Sequence, residues 1–284
     1  MREHDVVLFG ATGFTGKLVA EYLSKHAKAR WAIAGRSKDK LEAVKRELGI
    51  DVPVLVADAD DEASLDALVP RAKVVCTTVG PYAKYGRKLV ASCTRHGTHY
   101  CDITGEVPFI RWSIDECHAK AEGARTRIVH CCGFDSIPFD LGVHMLWDHA
   151  KKPLAWAKGF AGKTKGTFSG GTFASMMNLM EDMTRDRSMR RLLANPHALE
   201  PDAKPSGDRE RDQAGVRFDE DLGRWTAPFL MAQVNTRIVR RSNALLHYGD
   251  RFTYAEAMST PPGPKGLLMA AGVTAALGAF VAAA

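Results

Sequence analysis

The amino-acid sequence predicts an α/β fold: a Rossmann-type doubly wound parallel sheet followed by a partial α+β second domain. Three observations predict it. Over the first 140 residues, short β-branched runs alternate with stretches that carry apolar residues at helical spacing, the pattern of β-α units around a parallel sheet. A glycine run follows the first β-branched run directly. After about residue 150 the alternation gives way to Gly-rich turns and a polar, proline-punctuated segment. A length of 284 residues suits about two such domains, and the changes of pattern set the boundaries at 1–148, 149–258 and 259–284.

The expected strands are Val6–Phe9, Trp31–Ala34, Pro53–Ala57, Val74–Val79, Thr98–Asp102 and Ile128–Cys132. Between them the spacing predicts helices over Gly16–Lys25, Lys38–Leu48, Glu62–Leu68, Arg87–His96 and Trp112–Gly123. The stretch from Gly159 to Thr172 reads as turns and short antiparallel strands. A helix is expected from Thr172 to Leu193, and residues 195–212 as a surface loop. Order resumes from Trp225 to Ala257, and Pro261-Pro262-Gly263-Pro264 then breaks the chain.

Composition narrows the function classes. With 39 Lys and Arg against 33 Asp and Glu the net charge is +6, which suits anionic small molecules or an acidic membrane surface. The charges are interspersed rather than clustered, so no nucleic-acid footprint forms. Six cysteines without a CxxC pair read as buried reduced thiols, and His96, His99, His130 and His144 lack metal-ligand spacing. No apolar leader precedes the first strand, and the chain is expected to start in the cytoplasm. Residues 266–284 carry no charge; at 19 residues they approach a bilayer span, yet eight are Ala and three Gly, so a membrane contact competes with a buried small-residue helix.

The glycine run is Gly10-Ala11-Thr12-Gly13-Phe14-Thr15-Gly16, with a strand before it and a helix after it. Its glycines permit a tight turn, close approach of a pyrophosphate and helix-to-sheet packing, while the helix N-terminus offers N–H groups to the anion. Where an NAD enzyme places an acid for the ribose 2′-hydroxyl, the chain has Gly35-Arg36-Ser37. A guanidinium there pairs with a 2′-phosphate, so NADP(H) is the expected cofactor, with Arg36 as an ordinary solvated charge the alternative. Asp58 is placed either to accept from the adenine amino group or to cap the next helix. Val79-Gly80-Pro81 ends the fourth strand at the ligand edge of the sheet, and Tyr82 either donates to a ligand or packs.

These stretches resemble the saccharopine dehydrogenase-like oxidoreductases, especially their trans-acting enoyl reductase branch. The resemblance is carried by GATGFTG (10–16), AGRS (34–37), VGPYAKYG (79–86), HYCDITGE (99–106), CGFDSIPFDLG (132–142), SGGT (169–172) and WTAPFLMAQVNTRIVRRSNALLHYG (225–249). It implies an NADP-binding domain, an α+β domain for substrate or dimer contacts, and hydride delivery to a carbon-carbon double bond of a lipid or polyketide intermediate. It also implies closing strands beyond the apolar segment, so the second domain is expected to be partial.

Candidate chemistry gathers in two places. Asp135 and Ser136, in the loop after the sixth strand, either position and protonate substrate or serve as turn residues. Tyr82 and Ser136 are candidate donors to the enolate that hydride addition generates. Glu106 either joins Asp102 in acid/base work or caps the helix that follows it. Arg237, Arg240 and Arg241 either hold the phosphate of a CoA- or pantetheine-bound acyl group or form a solvated or structural ion-pair face. Expected partners are a lipid or acyl-thioester substrate, a peripheral membrane contact and a second copy of the chain. The alternative function is a non-catalytic NADP-binding regulator or lipid-surface scaffold.

Overall fold

The computed structural model describes residues 2–162, 177, 186–201 and 211–283. Among the described residues the strands are β1 (His4–Phe9), β2 (Trp31–Gly35), β3 (Val54–Val56), β4 (Ala72–Thr77), β5 (His99–Asp102), β6 (Ile128–Val129), β7 (Trp156–Ala161), β8 (Arg217–Asp219), β9 (Arg224–Ala227) and β10 (Thr253–Ser259). The helices are α1 (Phe14–His26), α2 (Lys38–Leu48), α3 (Glu62–Leu68), α4 (Tyr82–Arg95), α5 (Val107–Gly123), α6 (Ile137–Ala150), α7 (Arg187–Ala194), α8 (Ala232–Leu246) and α9 (Pro264–Ala283). The chain divides into two compact units between Gly133 and Phe134.

In the first unit β1 to β6 form one parallel sheet in the order β3-β2-β1-β4-β5-β6. Period-2 alternation sends side chains to opposite faces. Val7 and Phe9 of β1 pack with Leu65 of α3, Leu89 and Val90 of α4 and Phe109 of α5. Leu8, between them, packs with Ala20 of α1 and Leu41 of α2 on the other face. Helices on both faces of a parallel sheet make the doubly wound architecture that the alternating pattern predicts.

In the second unit β7 to β10 form a sheet in the order β7-β10-β9-β8, with β10 parallel to β7 and antiparallel to β9. Its core joins Val143 of α6, Ala157 of β7, Val239 of α8 and Tyr254 of β10 with Tyr248 and Phe252. That packing assigns α6 to this unit, whereas the sequence boundary at 148 leaves it with the first. The chain thus contains a Rossmann-type unit followed by a smaller mixed α+β unit.

Several expectations are corrected. The strand from Trp156 pairs in parallel, not antiparallel, because its partner β10 arrives almost a hundred residues later through α7, β8, β9 and α8. Helices α4 and α5 each begin five residues before their expected starts at Arg87 and Trp112, with Pro81 as the N-cap of α4 and Pro108 in the first turn of α5. Strand β6 stops at Val129, and Cys131 adopts a left-handed φ of 58° that turns the chain away from the ladder. Most of the helix expected over Thr172–Leu193 lies outside the described residues, as does SGGT; its described end is α7, capped by Asp186. Within the expected surface loop, His197 to Glu200 are buried while Asn195, Pro201 and Arg211 are exposed: His197 and Glu200 pair at 2.7 Å, with Ala198 and Leu199 enclosed between them.

Candidate functional site

Among the helix N-termini at the C-terminal edge of the parallel sheet, those of α1 and α4 follow the adjacent central strands β1 and β4. At the first, Gly10 turns the chain at φ 95°, and its N–H bonds to the Ala34 carbonyl at 2.9 Å. A Cβ at Gly16 would lie 2.1 Å from the Gly10 oxygen, so α1 packs directly on the turn. Gly13 differs: a Cβ there would come no closer than 3.6 Å to its nearest neighbour, again the Gly10 oxygen. The fold needs glycine at 10 and 16, whereas beside Gly13 there is room for a side chain.

The α1 terminus suits an anion. Its N-cap, Gly13, has no side chain to satisfy the first-turn N–H groups, and no acid lies in that turn. Thr12, Gly13 and Phe14 are exposed and Thr15 is half-buried. At the end of β2, Arg36 is exposed and pairs with no carboxylate among the described residues. Ser37 caps α2 by accepting the Lys40 N–H at 3.4 Å, which leaves its hydroxyl hydrogen to donate. Asp58 does not cap α3, for Asp61 does so through Ala63 N at 3.0 Å; Asp58 closes its own turn by accepting from Asp60 N. These donors fit a dinucleotide with a 2′-phosphate: a bare helix N-terminus for the pyrophosphate and a free guanidinium for the extra charge.

The α4 terminus is filled by the protein itself. Glu106 accepts the N–H groups of Tyr82 at 2.8 Å and Ala83 at 2.7 Å, and it is 5% exposed. It occupies the N-cap position of α5 but makes no side-chain cap there, so the expectation that it caps the following helix is corrected: it caps the preceding one. Val79 N bonds to Thr77 Oγ1 at 3.2 Å, and Val79 packs over Gly10 from the neighbouring strand, holding the Val79-Gly80-Pro81 turn beside the glycine run. Tyr82 points inward. Its ring joins the core, its hydroxyl donates to the Thr77 carbonyl at 3.3 Å, and burial pushes the phenol well above its ordinary range. The donor role for Tyr82 is therefore replaced by a packing role.

Beside this edge Asp102 organises a buried network that the sequence did not reveal. It accepts from Tyr100 Oη at 2.8 Å, Thr104 N at 3.0 Å and Cys131 N at 3.2 Å. His130 Nδ1 lies 2.7 Å from Asp102 Oδ2, and His130 Nε2 lies 2.9 Å from Ser113 Oγ. A buried carboxylate orients Nδ1–H as donor, so Nε2 accepts from the serine. The Ser-His-Asp order resembles a nucleophile relay, but Ser113 is buried within α5, and the network ties the ends of β5 and β6 together.

In the second unit, Ser136 is the N-cap of α6, yet its side chain makes no cap bond to that helix. Asp135, just before it, has its carboxyl raised by desolvation, toward holding a proton. The three arginines do not form a phosphate seat or a solvated face. Arg237 bonds Asp212 at 2.7 Å and the Leu193 carbonyl at 2.8 Å, Arg240 bonds the Tyr254 carbonyl at 3.1 Å, and Arg241 bonds the Leu199 carbonyl at 2.8 Å. Arg237 and Arg240 are buried, and Arg237 makes with Asp212 the ion pair that the structural alternative expects.

Residues 6–129 match the family model of the saccharopine dehydrogenase NADP binding domain. A trans-acting enoyl reductase of Mycobacterium tuberculosis is 42% identical over 290 residues, covering 96% of this chain and 69% of that protein. The chain belongs to the trans-acting enoyl reductase branch of the saccharopine dehydrogenase-like family. A trans-acting enoyl reductase of Mycobacterium leprae is 44% identical over 91% of this chain, and a further M. tuberculosis relative is 48% identical. The chain spans 65% of the length of that last relative. A solved saccharopine dehydrogenase (L-Glu forming) of Saccharomyces cerevisiae is similar over 56% of this chain and 34% of that one, at 20% identity and a TM-score of 0.45. With the family's NADP-binding domain in place, the cofactor is NADP(H), in agreement with the bare α1 terminus and Arg36.

Proposed function

We propose that this chain is an NADPH-dependent reductase of activated double bonds, acting on an enoyl thioester of lipid or polyketide type. The observation that carries the reading is the α1 N-terminus, bare and acid-free, together with an exposed Arg36 that pairs with no carboxylate among the described residues, in a chain whose relatives are named trans-acting enoyl reductases. Gly10, Thr12, Gly13, Phe14, Thr15 and Gly16 hold the pyrophosphate, Arg36 and Ser37 the 2′-phosphate, Asp58 the adenine edge, and Val79, Gly80 and Pro81 flank the cofactor. Bound NADPH supplies the hydride.

The chain's own residues then handle charge and proton. Hydride arrival at the β-carbon leaves an enolate whose oxygen needs a donor, and the Ser136 hydroxyl, not spent on capping α6 but buried until substrate parts the loop, supplies it. Asp135, its carboxyl raised by desolvation, delivers a proton to the α-carbon. The product is the saturated thioester. The reading places this reaction in the cytoplasm, with a second copy of the chain as a further partner. Among the residues described with side chains, no helix is long and apolar enough to cross a membrane. Ala270 in α9 is fully buried, and a peripheral membrane contact through the rest of residues 266–284 is tested by vesicle flotation.

The deciding experiment follows NADPH consumption with crotonyl-CoA and longer enoyl thioesters. Turnover supports the reading; tight NADPH binding without turnover of any of them leaves a non-catalytic NADP-binding module instead. Arg36→Ala is expected to cut the preference for NADPH over NADH by about tenfold to a hundredfold, the loss of roughly 1.5–3 kcal/mol that a charge-assisted contact supplies. An unchanged preference removes Arg36 from the site.

A further inference from the structure

Behind Asp135, three buried side chains of the second unit meet that have no role in the reaction as described. Asn235, in the first turn of α8, is 1% exposed, and its Nδ2 donates to the Asp135 carbonyl at 2.8 Å and to Glu256 Oε2 at 3.0 Å. Glu256, on β10, is also buried, and its Oε1 accepts from the Tyr254 hydroxyl at 2.8 Å. Strand β7 makes room for the pair: a Cβ at Gly159 would lie 2.6 Å from Tyr254 Oη and 3.0 Å from Glu256 Cγ. Asn235 Oδ1 has no partner. The amide cannot turn over to relieve this, because Oδ1 would then face a carbonyl oxygen and a carboxylate.

We propose that Asn235 is a positioning residue for the reaction: it ties the Asp135–Ser136 peptide to the buried carboxyl of Glu256, so that the charge on Glu256 is transmitted to the loop that handles enolate and proton. The inference rests on the roles given above to Asp135 and Ser136.

Burial pushes the Glu256 carboxyl up to about 7, opposed by the hydrogen bonds from Tyr254 and Asn235 and by Arg240 of α8, and reinforced by the charge of Asp212. Asp140 of α6 faces Tyr254. When Glu256 takes up a proton it goes to Oε1, because the Tyr254 hydroxyl can reverse and accept, whereas an amide N–H₂ cannot. The Asn235–Glu256 contact then weakens from a charge-assisted hydrogen bond to a neutral one. As pH rises through the titration the carboxylate tightens its hold on the amide, and the amide is aligned on the Asp135 carbonyl.

The test is a pH titration of the whole chain by ¹⁵N NMR, following the Asn235 side-chain amide and the Ser136 backbone amide, which reports on the carbonyl of Asp135. Both signals are expected to move in one step with a midpoint of about 7. Glu256→Gln abolishes the step at both, and Asn235→Ser abolishes it at Ser136. No step in the unaltered chain, a step that survives Glu256→Gln, or a Ser136 step that survives Asn235→Ser overturns the proposal. Gly159→Ala, which crowds Tyr254 away from Glu256, raises the midpoint; an unmoved midpoint counts against the linkage even where the other variants fail to fold. With crotonyl-CoA as substrate, kcat steps at the same midpoint and loses the step in Glu256→Gln. Absence of turnover alongside intact titrations overturns the proposed reaction, and turnover without the titrations overturns this inference.

Discussion

The N-termini of α1 and α4 stand at the same edge of the same sheet, after the adjacent strands β1 and β4, yet they are finished in opposite ways. Both carry first-turn N–H groups without helical partners and the positive end of a helix dipole. At α4 the requirement is met inside the protein, by the Glu106 carboxylate on two of those groups. At α1 no side chain of the cap or first turn meets it: the cap is glycine, the first turn holds no acid and a Cβ at Gly13 would meet only ordinary contact. One arrangement stabilises the fold, and the other leaves the terminus open for the pyrophosphate that the proposed function assigns to it.

Three substitutions break or sharpen this contrast. The largest effect is expected for Gly16→Ala, where the new methyl would sit 2.1 Å from a backbone oxygen that cannot move aside. A destabilisation of about 3 kcal/mol or more, measured by urea unfolding, follows from overpacking against backbone; unaltered stability would mean that α1 does not rest on the Gly10 turn. Next is Glu106→Ala, which strands two donors at α4 and is expected to cost about 2–3 kcal/mol. Its NADPH affinity, read by fluorescence titration on the folded fraction, stays within about threefold of the parent, under 1 kcal/mol. A collapse of affinity with stability intact would reverse the assignment of the two termini. The smallest is Gly13→Ala: stability changes by less than about 1 kcal/mol because the Cβ meets only ordinary contact, while NADPH binding weakens about tenfold as the methyl enters the pyrophosphate space.

How much of this was legible in the sequence differs between the two termini. The α1 site is local: strand, glycines and helix occupy consecutive residues, and Arg36 follows at a spacing that the β-α unit dictates. The α4 cap is not local, because Glu106 is 24 residues from Tyr82, and only the pairing of β4 with β5 brings them together. Tyr82, which the sequence leaves open between donating and packing, is settled by non-local contacts for the same reason. A tyrosine at the ligand edge of a strand has the chemistry of a donor, and the packing of α4 on the sheet decides that its hydroxyl turns to Thr77. The arginines of α8 show the converse: charge suggested a phosphate seat or a solvated or ion-pair face, but carbonyls and Asp212 from distant segments hold them.

By itself the sequence determined the doubly wound first unit and the NADP(H) cofactor, because each depends on a short-range pattern: period-2 strands, helical spacing, and glycines and a guanidinium within one β-α-β unit; the family it carried in short stretches spread from residue 10 to residue 249. Tertiary structure decided which polar groups are spent and which remain for chemistry. Glu106 on α4, Asp102 between Tyr100 and His130, and Glu256 between Tyr254 and Asn235 are each set by partners on neighbouring strands or helices. A buried carboxylate must find its donors wherever the fold brings them, and that search has no signature in the order of residues along the chain.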